Sequence, residues 1–484
     1  MTALLVDLGV ILVLIAGIAQ FRTPRGARHG NLTAAAALLI AVVVVLYRHQ
    51  VLNVPLVVIV ALLGSSVGAW IAARVNMIQI PAMVAFQHGA GGVAAFLVSF
   101  VELTRHTAVP PTRTAEVAAL LGLVVGAATF SGSMIASGKL ANRLRQTPTI
   151  LPGHNWLLVA NLAVMVVLAL WAGVSGSAGV MLAASLALIV CAVVLGVVFS
   201  IRIGGADMPV LISFLNATAG LAAAFCGIAI GNRLLIACGA TVAASGSILT
   251  HVMCQAMNRG LVGVFAGLRP HVDGGRPAAR TSAVAPAAVI TEPVDPSAQA
   301  ATLLRAAQRV IIIPGYGMAL AEASEEVVRL GERLTELGKD VLFAIHPVAG
   351  RMPGHMHVLL AEADVDYGQL RELKDVNDQF TQTDVALIVG ACDVVNPAAI
   401  ADANTPISGM PILRADEARH VIICNLDERP GYSGVPNPLY QNPKTILLFG
   451  DAAETVSALR RDLENTANGA TGDSAPARAA GGSG

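Results

Sequence analysis

The chain has 484 residues, 55% hydrophobic and only 13% charged, with 31 basic and 31 acidic side chains that cancel to zero net charge. Soluble domains carry roughly twice that share of charge, so a wholly water-soluble protein is excluded. No basic cluster with interleaved aromatics appears, which leaves nucleic-acid binding without support.

Residues 1–258 are almost wholly apolar, whereas 303–464 have ordinary soluble composition. Runs long enough to span a bilayer, roughly 17–25 residues, fall near 3–20, 32–47, 52–73, 79–101, 115–137, 156–173, 177–199, 208–230 and 234–257. They predict an α-helical membrane bundle of about nine transmembrane helices. The first run lacks the basic start and cleavage site of a signal peptide and reads as a true span. Loops after the odd spans hold Arg22, Arg25, Arg28, Arg74, Lys139, Arg143, Arg145, Arg202 and Arg259; those after even spans hold Arg48, Arg105, Arg113 and Arg233. This bias puts the N-terminus outside and the soluble half in the cytoplasm.

Two segments 128 positions apart match: "IPAMVAFQHGAGGVAA" (80–95) and "MPVLISFLNATAGLAA" (208–223). Pro81 aligns with Pro209, Phe86 with Phe214, and Gly92 with Gly220. His88 falls opposite Asn216, and Gln79 opposite Asp207. Internal repeats of this kind place functional sites near the bilayer midplane. His88 has two readings, a neutral histidine bonded within the bundle or a proton-handling group. Ionisable side chains inside a span are costly and mark ion pathways, which favours the second. The six cysteines are scattered without a CxxC pair and read as small buried hydrophobes, so neither a disulfide framework nor a metal site is indicated.

Residues 259–302 are rich in Pro, Ala and Gly without apolar period and read as a linker; 465–484 read as a disordered tail. Between them, strands are predicted at 310–313, 341–345, 384–391, 420–426 and 445–452, alternating with helix. The fold class of 303–464 is an α/β Rossmann-like doubly wound domain. The turn "GYGMAL" (315–320) follows a strand and opens a helix, the context in which a glycine turn cradles a pyrophosphate; a turn that only serves folding is the alternative. The second strand ends in Ile345-His346, not in the carboxylate of an ordinary NAD site. His355 and His357 read as loop surface, with no zinc-ligand spacing around them.

With "GYGMALAEA", "HPVAGRMPGHMHVLLAEADV", "GACDVVNPAA" and "GVPNPLY", the chain resembles the beta subunit of proton-translocating NAD(P) transhydrogenase over nearly all of 1–464. The resemblance implies hydride transfer between NADH and NADP⁺ coupled to proton movement. It implies NADP(H) as cofactor here, NAD(H) on a separate alpha subunit, and an alpha2-beta2 assembly in the bacterial inner membrane. By motif, Gly315, Tyr316, Gly317, Met318 and Ala319 would cradle the pyrophosphate and ribose of NADP(H). His346, Val348, Ala349 and Arg351 would line the phosphate and adenosine side. Asp393 would couple redox state to protonation, and Tyr432 and Gly434 would belong to a closing loop. His88, Asn216 and Asp207 match the family's proton-pathway residues.

The chain departs from the family pattern in two places. Where the family usually reads Lys-Arg-Ser around the 2′-phosphate, this chain has Asn425, Leu426 and Asp427. A carboxylate about 4 Å from that phosphate costs on the order of 4 kcal/mol at an effective dielectric of 20, so altered NADP/NAD selectivity is expected unless Arg429 or Arg351 compensates. The acidic residues that often precede the histidine are replaced by Gln79 and Ala82, which leaves His88 with few ionisable neighbours. A nucleotide-sensing transporter or channel without redox chemistry is the alternative of a different class.

Overall fold

The computed structural model describes residues 2–469 apart from 21–23, 49, 51–53, 77, 106–111, 146–147, 176, 205–206, 258–259, 267–294, 352–353, 403–404 and 406. The chain forms two compact units. In the first, the apolar runs become helices: α1 (Thr2–Ala19), α2 (Pro24–Arg48), α3 (Pro55–Ala72), α4 (Ile80–Thr104), α5 (Arg113–Leu140), α6 (His154–Ser175), α7 (Ala178–Ile201), α8 (Met208–Ala229) and α9 (Arg233–Ala256). Among the described residues, eight of these have the length and apolarity of a membrane span; α1 is shorter. It lies at the lower limit of the roughly 17–25 residues a span requires.

α5 is the centre of this unit. It packs on α4 and α7, while α1 packs on α2 and α6 on α7. Lipid supplies no hydrophobic drive between helices, so small residues that admit close backbone approach decide the contacts. A Cβ on Gly92 would stand 2.6 Å from the Gly126 carbonyl of α5, and one on Gly220 would stand 2.5 Å from the Ala243 nitrogen of α9. The repeat read from the sequence is thus a repeat of structure. α4 starts at Ile80 and α8 at Met208, each with proline in its second position, and the matched glycine seats the following helix in both.

Lys139 does not serve as a solvated loop charge. It is buried and donates to the carbonyls of Ser200, Ile201 and Ile203 at 3.3, 2.7 and 2.7 Å, which satisfies the open end of α7. At the other pair of helices, Arg48 holds the buried Asp7 at 2.9 Å.

The second unit carries a six-stranded sheet, all parallel, in the order β3-β2-β1-β4-β5-β6. The strands are β1 (Arg309–Pro314), β2 (Asp340–Ile345), β3 (Leu370–Glu372), β4 (Val385–Val389), β5 (His420–Asn425) and β6 (Thr445–Phe449). The four central strands are buried on both faces, which is why they read as continuous apolar runs. β3 escaped sequence reading because it is three residues long, at the sheet edge and half exposed. Ile311, Ile313, Ala386, Ile388, Val421 and Ile423 share one core with Phe380.

Of the segment read as linker, residues 267–294 lie outside the described residues. Helices Leu261–Ala266 and Pro296–Ala306 flank them. The second crosses the boundary read at 302. It packs on the final helix (Ala452–Gly469), where Ser297 donates to Asp462 at 2.5 Å and Arg305 to the Leu463 carbonyl. The final helix runs past 464, and the rest of the expected tail, 470–484, lies outside the described residues.

Candidate functional site

In the helical unit, His88 and Asn216 stand half-buried in the middle of α4 and α8. Both helices pack on α5: α4 through Gly92 and Gly126, α8 through Thr129, whose hydroxyl bonds that of Thr218 at 2.9 Å. The His88 Nδ1 is buried and has no hydrogen-bond partner among the described residues. A buried polar atom of this kind is expensive unless it serves a purpose. Asp207 occupies a turn directly before α8, and Gln79 the residue before α4. The matched polar positions therefore sit at equivalent places in two equivalent helices.

In the α/β unit, sheet order reverses between β1 and β4, and ligands of doubly wound sheets bind at the carboxyl ends of strands at such a point. A cleft of about 410 Å³ opens there. Its wall comes from the turn after β1 (Gly315, Tyr316, Gly317), the loop after β2 (Val348, Ala349), the turn after β4 (Cys392, Asp393) and the loop after β5 (Asn425, Leu426, Asp427, Tyr432). Ten of the predicted cofactor residues thus meet in one place. Met318, Ala319, His346, Arg351 and Gly434 do not line it; the first four are buried behind the wall.

The two central turns interlock. The Gly315 amide donates to the Val389 carbonyl and that of Gly317 to the Gly390 carbonyl, both at 2.8 Å. A Cβ on Gly315 would lie 2.2 Å from the Gly390 oxygen. Gly390 itself has φ +69°, and a Cβ there would meet the Met318 amide at 2.0 Å. Both glycines are demanded first by this mutual approach, so the folding explanation for the turn holds whatever the cleft binds.

Behind the β2 loop, Arg351 is 6% exposed and donates to the Tyr432 hydroxyl at 2.8 Å. Its guanidinium lies 4.6 Å from the Tyr316 ring centre and 5.7 Å from that of Tyr432, a stacked arrangement suited to a planar cation. Burial pushes the Tyr316 phenol above its ordinary range.

His355, expected on a loop surface, instead opens the helix His355–Glu362. It is 1% exposed, packs on the Tyr316 ring, and its Nδ1 accepts the Arg351 amide at 3.1 Å. Nothing in composition signals that burial. His346 is equally buried; its Nε2 donates to the Pro411 carbonyl at 2.7 Å and its Nδ1 accepts the Val348 amide at 3.2 Å. Burial lowers both histidines to about 4, with the Arg351 charge adding to the effect at His355.

Asp393 forms the second focus. Its carboxylate accepts the Ser433 hydroxyl at 2.6 Å and the Ser433 amide at 3.0 Å. Burial raises its pKa, against the pull of these bonds. Ser433 is not among the residues the sequence points to, and Asn437 and Tyr440 stand in its "GVPNPLY" motif without an assigned role. Asn437 donates to the Cys392 carbonyl at 3.2 Å, and Asn425 donates to the Ala391 carbonyl at 2.9 Å and the Tyr440 hydroxyl at 2.8 Å. Ser433 lies between the singled-out Tyr432 and Gly434, so its neighbours were the available signal.

The model of the NAD(P) transhydrogenase beta subunit family matches residues 4–462. The chain belongs to that family. Two relatives, both named NAD(P) transhydrogenase subunit beta and both from Rhodospirillum rubrum (one from a designated strain), are each 39% identical over 451 residues, 92% of this chain and 95% of theirs. Membership makes the chain a multi-pass membrane protein with an alpha subunit as partner, and the family implies NADP(H) binding.

The cleft fits the body of a dinucleotide. It lies at the switch point, and the buried Asn425 Oδ1 in its wall has no hydrogen-bond partner among the described residues. The 2′-phosphate fits less well. Among the described residues lining the cleft, Arg429 is the one cation, and it is already held by Asp427 at 2.5 Å.

Proposed function

We propose that this beta subunit transfers hydride between NADH, held by the separate alpha subunit, and the dinucleotide of its own C-terminal domain, coupled to proton passage through the helical unit. The observation that carries this is the cleft at the β1/β4 switch point, with Asp393 in its wall, in a chain of this family. The bound dinucleotide supplies the hydride chemistry. The glycine turn (Gly315 to Gly317), whose two glycine amides are already bonded to the turn after β4, lets the backbone approach its pyrophosphate closely, and Tyr316 and Tyr432 close over it with Arg351 stacked on their rings. Gly434, at φ +71°, gives the Tyr432 loop its bend. His346, Val348 and Ala349 shape the adenosine side, over the buried Met318 and Ala319.

Asp393 holds a proton more readily than an exposed carboxylate does, because burial disfavours its charge. The proton relay in the membrane runs through His88, with Asn216 and Asp207 as its counterparts. Protonation of His88 biases the soluble domain between an open and an occluded state. The assembly is alpha2-beta2 in the bacterial inner membrane, with the C-terminal domain on the cytoplasmic side, supported by the excess of Arg and Lys in the loops on that side.

The test is transhydrogenation by the chain reconstituted with its alpha subunit in sealed vesicles. Hydride transfer that responds to an imposed proton gradient is the expected result. A folded complex that binds dinucleotide but transfers no hydride would refute the proposal.

A further inference from the structure

The cation census of the cleft carries an inference that rests on the dinucleotide reading above and deepens it. A ribose bearing a 2′-phosphate is held by cations, and a ribose with a free 2′-hydroxyl by a carboxylate. At the β2 side of the cleft the lining residues are Val348, Ala349 and Gly350, without charge. Arg351 stands behind them, 6% exposed, stacked on Tyr316 and bonded to Tyr432. At the β5 side the lining residues run Asn425, Leu426, Asp427 and Arg429. There the carboxylate is clasped by the only lining cation among the described residues. Asp427 accepts the Arg429 amide at 2.9 Å and its side-chain Nε at 2.7 Å. Whichever end of the cleft receives the adenosine ribose, it meets no lining cation that is not already paired.

Leu426 is 71% exposed on the rim, an apolar side chain where a phosphate would need a donor. The other lining carboxylate, Asp393, accepts both its bonds from Ser433, and Asp427 accepts the Arg429 Nε and Nη2 on Oδ2 and the Arg429 amide on Oδ1, which leaves Oδ1 a lone pair for a ribose hydroxyl.

We propose that Asp427, clasped to Arg429, is a specificity-determining residue that removes the preference for a 2′-phosphate. This cleft therefore takes NAD(H) about as well as NADP(H).

The test is direct binding of NADH and NADPH to the purified full chain in detergent, without the alpha subunit, with 5′-ADP and 2′,5′-ADP as competitors. Affinities for NADH and NADPH within tenfold of each other are expected, with the two competitors equally matched. Asp427→Ser, which releases Arg429, should shift the ratio at least tenfold toward NADPH while leaving the melting temperature in place. An NADPH preference above tenfold in the unaltered chain, or no shift on Asp427→Ser, would overturn the inference and leave the dinucleotide reading standing. Binding of neither nucleotide would overturn both.

Discussion

The helical unit and the α/β unit hold their functional residues by different means. In the cleft wall and directly behind it, Asp393, Arg351, His346 and His355 each have named hydrogen-bond partners at 2.6 to 3.2 Å. In the membrane, His88 has a buried Nδ1 with no partner among the described residues, on a helix positioned by glycine contacts. A network of bonds fixes protonation and rotamer, as a dinucleotide site requires. An imidazole whose buried Nδ1 has no bond to break keeps that nitrogen available to a proton, as a proton carrier requires. Stability and function should therefore separate differently in the two units.

Replacement of Gly315 by valine attacks the interlocked turns directly. Its Cβ would fall 2.2 Å from the Gly390 oxygen, and a loss above roughly 4 kcal/mol is expected, seen as unfolding of the α/β unit by circular dichroism. Survival of the domain with near-native stability would mean that the turns can part.

Acidification should be the next largest effect. The unfolded chain protonates His346 near 6.5, whereas the folded domain keeps it neutral down to about 4. Its contribution is therefore complete above pH 6.5 and is lost as pH falls from 6.5 to 4, by on the order of 3 kcal/mol. Denaturant titrations at pH 7 and pH 4.5 measure this, and His346→Gln should flatten the dependence.

Ser433→Ala removes the 2.6 Å bond to Asp393, at roughly 1.5–3 kcal/mol for a bond to a charged group. It should also raise the Asp393 pKa further, since a bond that favours the carboxylate is lost. The pH profile of dinucleotide release by the full chain, moved upward, is the readout.

His88→Ala should change stability least, by under ~1 kcal/mol, because no hydrogen bond of its Nδ1 is lost. Proton movement in vesicles should nevertheless uncouple from hydride transfer. Full coupling in that variant would end the comparison between the units.

Much of this was legible beforehand. Bilayer-length apolar runs foretold the helices, because in lipid each span must satisfy its own backbone. The matched segments at Ile80 and Met208 foretold two helices that start alike, and the structure added that the matched glycine seats a neighbour in both. The strands announced themselves by apolar runs, apart from β3. Ten of the expected cofactor residues meet at the cleft. The partners of those residues were not legible. Nothing in "HPVAGRMPGHMH" tells that His355 turns inward, and nothing in "CNLDERPGY" tells that Asp427 clasps Arg429.

The sequence by itself determined the two-unit plan, the internal repeat, the doubly wound class and the family, since each is written in periodicity and motif along a local stretch. Only the tertiary structure decided how the charges are spent: Lys139 on helix-end carbonyls, Arg351 on two tyrosines, Arg429 on Asp427, and Asp393 on Ser433. An ion's partner is set by distance in space, and in the folded chain Asp393 and Ser433 meet across forty positions.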